Sequence, residues 1–113
     1  MRLITATASG ILSSEDIGWI AEEVRAATLS LGDDAGRHRT LYDLRGVQVL
    51  PQATTDTALR NLRGGTPDLW ARRLAFVATT VLTRRQVRRL CEARPGSSVF
   101  EDLEAARAWL LEA

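Results

Sequence analysis

The chain has 113 residues, of which 45% are hydrophobic and 26% charged, and its formal net charge is +1. This size and composition predict one globular domain over residues 1–113 and argue against disordered and fibrous classes. No apolar run approaches the roughly 18 residues of a transmembrane helix, and the N-terminus lacks a signal-peptide pattern, so we expect a cytoplasmic protein. A single cysteine, Cys91, excludes an intramolecular disulfide and agrees with a reducing compartment.

The first third of the chain predicts a strand, a helix and a loop. Residues 3–8 alternate weakly and are rich in β-branched side chains, and residues 9–10 interrupt them, which is typical of a short strand and a turn. Ser13 or Ser14 then stands where a helix N-cap is expected, followed by two acids. The helix carries an apolar stripe that should face the core, and Gly32 supplies a stop signal. The stripe consists of Ile17, Ile20, Ala21, Val24, Thr28 and Leu31.

The middle of the chain predicts a second strand and a second helix. Residues 33–39 are polar and indicate a loop, and residues 40–44 indicate the strand. Residues 45–51 are interpreted as a turn that ends in a proline suited to opening a helix. The helix is expected near residues 54–63, and a short helical turn is expected at residues 66–70.

The last third continues the alternation. Residues 74–80 are apolar on both sides, as in a central strand, and Thr83 is predicted to cap a third helix that stops at Pro95. Residues 97–100 predict a short strand, and a fourth helix follows with Leu103, Ala106, Trp109 and Leu110 on one stripe. Four successive strand–helix units predict an α/β fold with four βα turns, a mostly parallel sheet and right-handed crossovers.

Several segments, in this order and at this chain length, resemble the SpoIIAA-like, or STAS, family. They are residues 10–16 (GILSSED), 41–47 (LYDLRGV), 75–77 (AFV), 99–100 (VF) and 104–110 (EAARAWL). The resemblance spans nearly the whole chain and implies a SpoIIAA-like fold, with helices wound as successive βα turns on the sheet. It also implies a non-enzymatic protein-interaction or regulatory module, as in the bacterial anti-sigma factor antagonists.

Regulated antagonists of that family carry an Asp-Ser pair at the start of the second helix, where the serine is phosphorylated. This chain departs from that pattern, because residues 51–56 read PQATTD and contain no serine. Thr54 or Thr55 could substitute as a phosphoacceptor, since added negative charge is favourable at a helix N-terminus. Helix capping is the simpler interpretation of both threonines, and we favour it.

A candidate ligand or partner site is expected beyond the carboxyl ends of the strands, where open α/β sheets usually bind ligands. The alternative is that these side chains only cap loops and make turns. The residues expected at this edge are Asp43, Arg45, Gly46, Gln52, Thr54, Thr79, Thr80 and Thr83.

No enzymatic motif is present in the sequence. His38 is the only histidine and is expected in a solvated loop, while Cys91 is expected on the apolar side of a helix. The chain lacks a glycine-rich phosphate loop, zinc-spaced ligands and a serine elbow, so we expect no catalytic residues, no metal and no cofactor.

The charge distribution is uneven, because residues 60–94 hold nine arginines against two acids. Arg85, Arg88 and Arg89 share one side of the third helix and are candidate interface residues that could meet phosphates. A solvated helix face paired with acids is the alternative that we favour, since the chain has only six aromatic residues and a pI of about 8.0. Nucleic acid is therefore not the expected partner.

Trp19 falls opposite the apolar stripe of the first helix and is expected to be partly exposed. It is a candidate contact for a protein partner or a second copy of the chain, unless a loop folds over it. Trp70 and Trp109 are expected in the core. A small anionic or lipid-like ligand at the strand ends is the second functional hypothesis beside the interaction module. An enzyme is the third, and it would need a partner chain or a cofactor to supply the missing reactive groups.

Overall fold

The structure is a computed structural model, and it describes residues 2–112. Within this range the chain forms four strands, β1 (Leu3–Ile11), β2 (Arg39–Val49), β3 (Arg73–Val77) and β4 (Ser97–Phe100). Each strand is followed by a helix, and these are α1 (Ser14–Leu29), α2 (Gln52–Arg63), α3 (Val81–Cys91) and α4 (Leu103–Leu110). Two 3-10 turns lie at Gly32–Asp34 and Pro67–Leu69. The predicted α/β class with four βα units is confirmed.

The four described strands form one sheet in the order β1-β2-β3-β4, and every neighbouring pair is parallel. Each new strand is added beside the last, so crossovers of one hand place α1, α2 and α3 together on one face. The opposite face is covered by α4, which follows the last strand.

The expectation that β2 ends near residue 44 is wrong, because the strand continues to Val49. Its register with β1 shifts twice, which marks β-bulges that let the strand continue through the Arg-Gly pair. Gly46 is required there, since a Cβ on this residue would lie 2.7 Å from the Cβ of Ser9. The glycine that suggested a turn therefore permits close approach of two strands.

Helix boundaries confirm some of the predicted caps and correct others. Ser13 caps α1 in a capping box with Asp16, as the sequence indicates. The cap of α3 is Thr80 rather than Thr83, because the helix begins earlier than predicted. The cap of α2 is Pro51, so neither threonine near its start performs that role.

The sheet separates two hydrophobic clusters. The cluster on the α4 face is formed by Leu41, Ala75, Val77, Ala106 and Leu110, all fully buried. The cluster on the three-helix face is larger and draws buried side chains from the sheet, α2 and α3. Its buried members include none from α1, whose Ile17 packs there only in part. The first helix is thus less closely packed than the others.

Candidate functional site

The strand-end residues Asp43 and Arg45 form a closed ion pair. Arg45 donates to the Asp43 carboxylate from Nε at 2.9 Å, from Nη2 at 2.8 Å and from its backbone nitrogen at 3.2 Å. These bonds hold the pKa of Asp43 below its ordinary value and raise the pKa of Arg45. Asp43 aligns with Val77 on the face that α4 covers, so the pair lies apart from the three-helix face.

The threonines after β3 are brought together, but their hydroxyls bond within the protein. The Thr80 hydroxyl accepts from the Thr83 backbone nitrogen at 3.1 Å and donates to the Thr83 hydroxyl at 2.8 Å. Thr83 donates in turn to the Gln48 carbonyl at 3.4 Å, and Thr79 donates to the Arg45 carbonyl at 3.3 Å. This cluster fastens the start of α3 to the end of β2.

The candidate residues of α2 are also engaged internally. Gln52 donates from its side chain to Asp56 at 3.0 Å, and the Thr54 hydroxyl donates to the Leu12 carbonyl at 2.6 Å. Thr54 and Thr55 are 1% and 3% exposed, so neither hydroxyl is presented to a kinase in the folded chain. The polar groups expected at the strand ends therefore stabilise the fold, and of that predicted set only Thr54 lines one of the cavities described below.

A concave feature lies at the opposite end of the strands, on the three-helix face. It is a cleft of about 640 Å³ between the C-terminal part of α1, the end of α2 with the following 3-10 turn, and the amino ends of β2 and β3. The sheet contributes Thr40, Tyr42 and Leu74 to its floor. Charged side chains of the cleft are Glu22, Arg25, Arg60 and Arg94. Cations therefore outnumber anions three to one.

His38 lies in the cleft wall and is only 2% exposed, so the expectation of a solvated loop histidine is wrong. Its Nδ1 accepts a hydrogen bond from the Gly36 nitrogen at 3.1 Å. Gly36 adopts φ +91° beside the Asp68 carbonyl, where a Cβ would come within 2.1 Å. This close approach packs the loop before β2 against the 3-10 turn, which buries the ring.

The buried His38 ring is held in its neutral form. Burial and the nearby charge of Arg94 both lower the pKa of His38. With Nδ1 acting as an acceptor, the neutral ring carries its proton on Nε2. No residue in the described range 2–112 accepts from Nε2 or links the ring to a hydroxyl, thiol or carboxylate. The ring can donate to a ligand, but a general-base arrangement is not assembled around it.

Arg94 is the half-buried cation of the cleft. Its guanidinium stacks over Trp70 at 4.4 Å from the ring centroid, and its Nε donates to the Leu62 carbonyl at 2.8 Å. Trp70 itself donates to the Gly64 carbonyl at 3.0 Å. Both contacts satisfy carbonyls at the C-terminal end of α2. Burial lowers the pKa of Arg94, and no acid among residues 2–112 forms an ion pair with it.

Tyr42 stands between the polar and apolar parts of this face. Its ring stacks on Phe76 with centroids 5.2 Å apart. Burial raises the pKa of the Tyr42 phenol, whereas the positive charge of Arg94 lowers it. The two side chains therefore share one electrostatic environment, and the phenol can donate to an acceptor placed beside the guanidinium.

The candidate interface residues are exposed, as the sequence predicts. Trp19 is 61% exposed on α1, and no loop of the described chain covers it. Arg85, Arg88 and Arg89 are exposed on α3, and none of them forms an ion pair within residues 2–112. Of the arginines on this flank of α3, Arg84 is the one that pairs with an acid among residues 2–112, with its Nη2 3.4 Å from Glu101 Oε1, so the expected pairing is met only in part. Trp109 is half-buried and packs in part against the cluster on the α4 face, whereas Trp70 is half-buried and belongs to neither cluster, so its expected place in the core is wrong.

The residues of the cleft were mostly missed by sequence reasoning because they come from five separate segments. Tyr42 occupies an inward position of β2, and Arg94 stands at the end of the arginine-rich segment. Arg94 differs from the other arginines of this segment in one respect, since helical spacing in the sequence aligns it with Val87 and Leu90, although α3 itself ends at Cys91. A cation on a buried stripe is a signal of a site or a cap.

Metal-ligand clusters, membrane-spanning helices and similarity to known proteins are three further indicators of function. Among residues 2–112, no group of three or more histidine, cysteine, aspartate or glutamate side chains is placed to hold a metal ion. No helix in that range is long and apolar enough to cross a membrane. Comparisons with protein-family models, curated proteins and solved structures found no match.

Proposed function

We propose that the protein is a cytoplasmic binding domain for a small anionic or lipid-like ligand, which it holds in the cleft beneath α1. The single observation that carries this proposal is Arg94, a half-buried cation that lines the cleft without an acidic partner in the described chain. A buried charge is costly unless it is paired, so an anion beside the guanidinium would relieve that cost.

The surrounding donors favour the same ligand chemistry. His38 presents a neutral ring with its proton on Nε2, and Tyr42 presents a phenol close to Arg94. A planar guanidinium with two neutral donors suits a carboxylate or phosphate, which accepts several hydrogen bonds at once. The carbonyls at the end of α2 would repel an anion, but those of Leu62 and Gly64 are already bonded to Arg94 and Trp70.

A thermal-shift titration with small carboxylates and phosphates tests this proposal. A ligand at about 100 times its Kd stabilises the folded state by about 2.7 kcal/mol, which raises Tm by about 10 °C in a domain of this size. We expect Arg94→Gln to abolish the anion-dependent rise in Tm, because the variant removes the charge and keeps a polar side chain.

Arg89→Gln is the matched control, since this arginine lies in α3, five residues before Arg94, and is exposed and without an ion pair among the described residues. It should retain the full anion-dependent rise in Tm. An equal response from Arg94→Gln and Arg89→Gln would mean that anions act through the general charge of the surface, and the cleft would lose its proposed role. Neutral analogues that raise Tm as much as the anions would have the same consequence.

A second candidate function is the non-enzymatic interaction or regulatory module of the STAS type, acting on a protein partner or as a homodimer. The observation that favours it is the exposure of large apolar side chains. Trp19, Val81 and Leu82 are 61%, 62% and 53% exposed. Isolated exposed apolar residues are common, whereas an exposed tryptophan is enriched in interfaces.

Measurement of the mass in solution tests this second candidate. If Trp19 forms a homodimer contact, the wild-type protein has twice the monomer mass and Trp19→Ala has the monomer mass with an unchanged Tm. Leu29→Ala is the control, because Leu29 is 54% exposed near the other end of the same helix. A monomeric wild-type protein would exclude the homodimer.

A further inference from the structure

A second, apolar space, the chamber, adjoins the cleft, and its position bears on the shape of the ligand. The chamber has a volume of about 80 Å³ and lies between α1, α2 and the sheet. Four residues line both spaces, namely Ala21, Tyr42, Asn61 and Leu62. Tyr42 lines both spaces and lies close enough to Arg94 to feel its charge, so a molecule beside Arg94 would be near the chamber.

The walls of the two spaces differ in chemistry. Leu12, Ile17, Ile20, Leu44 and Phe76 are among the side chains that line the chamber, and none of the described residues that line it is charged. The cleft, in contrast, carries Arg25, Arg60 and Arg94 around a polar floor. An apolar cavity of this kind has no partners for water, so it favours a hydrocarbon group.

The packing of α1 supports an occupant beneath this helix. Ile17, Ile20, Ala21 and Val24 form its inward stripe, yet each is only half-buried, and Thr28 is the single buried residue of the helix in the described chain. Because the apolar side chains of α1 face the sheet but are not fully buried by it, part of their hydrophobic surface is available to a bound molecule.

We propose that the ligand is a single-chain amphiphile, with its anionic head beside Arg94 and its hydrocarbon tail in the chamber between Ile20 and Phe76. This inference rests on the proposed function, and it adds that the anionic ligand carries a hydrocarbon tail. The narrow chamber takes one chain, so the polar end remains at the mouth of the cleft and the tail is removed from water.

Isothermal titration with straight-chain carboxylates from acetate to decanoate, and with the matched alkyl phosphates, tests the proposal. Burial of each added methylene should strengthen binding about fourfold, corresponding to about 0.8 kcal/mol, until the chamber is full. Beyond that length the affinity should stop rising. Carboxylate and phosphate head groups are both anions that suit the cationic cleft. The series that binds with the higher affinity identifies the head group.

Ile20→Phe is the diagnostic variant, because the larger side chain fills the chamber and leaves Arg94 untouched. It should bind acetate like the wild type and lose the dependence on chain length. Leu111→Phe is the control, since Leu111 is 65% exposed beside α4. Thermal unfolding of both variants verifies that they are folded.

The outcomes separate the two proposals. If acetate and octanoate bind the wild type with equal affinity, the inference that the ligand has a buried tail is overturned, whereas the proposed anion site is retained. If the chain-length dependence persists in Ile20→Phe, the tail lies elsewhere and this inference is overturned. If no member of either series binds, the proposed function fails together with the inference.

Discussion

The two faces of the sheet are packed in different ways. On the face covered by α4, Ala106 and Leu110 close completely on Leu41, Ala75 and Val77. On the other face, α1 is twice as long as α4 and yet buries one residue, Thr28, within the described chain. Helix length thus does not determine how much of a helix joins the core.

The anchoring of the two helices follows the same contrast. The C-terminal carbonyls of α4 accept hydrogen bonds from Arg39 and Arg73, and the Arg73 guanidinium lies 5.1 Å from the centroid of the Trp109 ring. The last turn of α1 has no basic residue, and its terminal groups bond only to neighbouring backbone and side chains. Packing and arginine hydrogen bonds hold α4 against the sheet, so this helix stabilises the fold. The weaker packing of α1 leaves space for a ligand.

The largest expected effect comes from truncating the tight face. Leu110→Ala should lower the free energy of unfolding by about 2–5 kcal/mol, because it leaves a cavity in a fully buried cluster. Ile20→Ala on α1 should cost less than half as much, since its side chain is only half-buried. Urea denaturation with an unchanged m-value measures both. Equal losses would show that α1 packs as tightly as α4.

A smaller effect is expected from enlarging an alanine on each face. Ala106→Leu should cost about 1–3 kcal/mol, because overpacking forces neighbouring side chains out of their preferred rotamers. Ala21→Leu should leave the free energy of unfolding close to that of the wild type, because Ala21 borders empty space. The same denaturation measurement applies, and a large loss in Ala21→Leu would contradict the open packing of α1.

Much of the fold could be predicted because its signals are local. The capping sequence at Ser13, the β4 segment and the outward position of Trp19 each depend on a few neighbouring residues. The alternation of strands and helices then leaves a parallel sheet as the simple solution. The length of β2 was missed because an Arg-Gly pair at 45–46 resembles a turn, and a bulge is visible only when the paired strand is known.

The cleft could not be predicted, because it depends on how far α1 stands from the sheet. The apolar stripe of α1 is the same whether the helix closes on the core or covers a cavity. His38 was expected in solvent because its neighbours in sequence are polar, whereas its burial arises from the approach of Gly36 to the Asp68 carbonyl. The general rule for open α/β sheets placed the site at the opposite strand ends.

The smallest of the three effects is a pH dependence of the free energy of unfolding, which arises from His38 on the cleft side of the sheet. The folded state lowers the pKa of His38 below the ordinary value of 6.5, through burial and the charge of Arg94. Between the two pKa values the unfolded chain binds the proton and the folded chain does not, so stability rises with pH there. The contribution is complete above about pH 6.5 and is lost as the pH falls toward the pKa of the folded state.

Thermal unfolding between pH 5 and pH 8 measures this dependence. We expect Tm of the wild type to fall on the acid side of pH 6.5, and Tm of His38→Asn to change less, because asparagine does not titrate and its side-chain oxygen can accept from the Gly36 nitrogen. Asp43 does not contribute to a change in Tm between pH 5 and pH 8. The hydrogen bonds from Arg45 lower the pKa of its carboxyl from 3.8, which is already below this pH range. Parallel profiles for the two proteins would mean that His38 is solvated in the folded state, and the cleft wall would then lack its neutral donor.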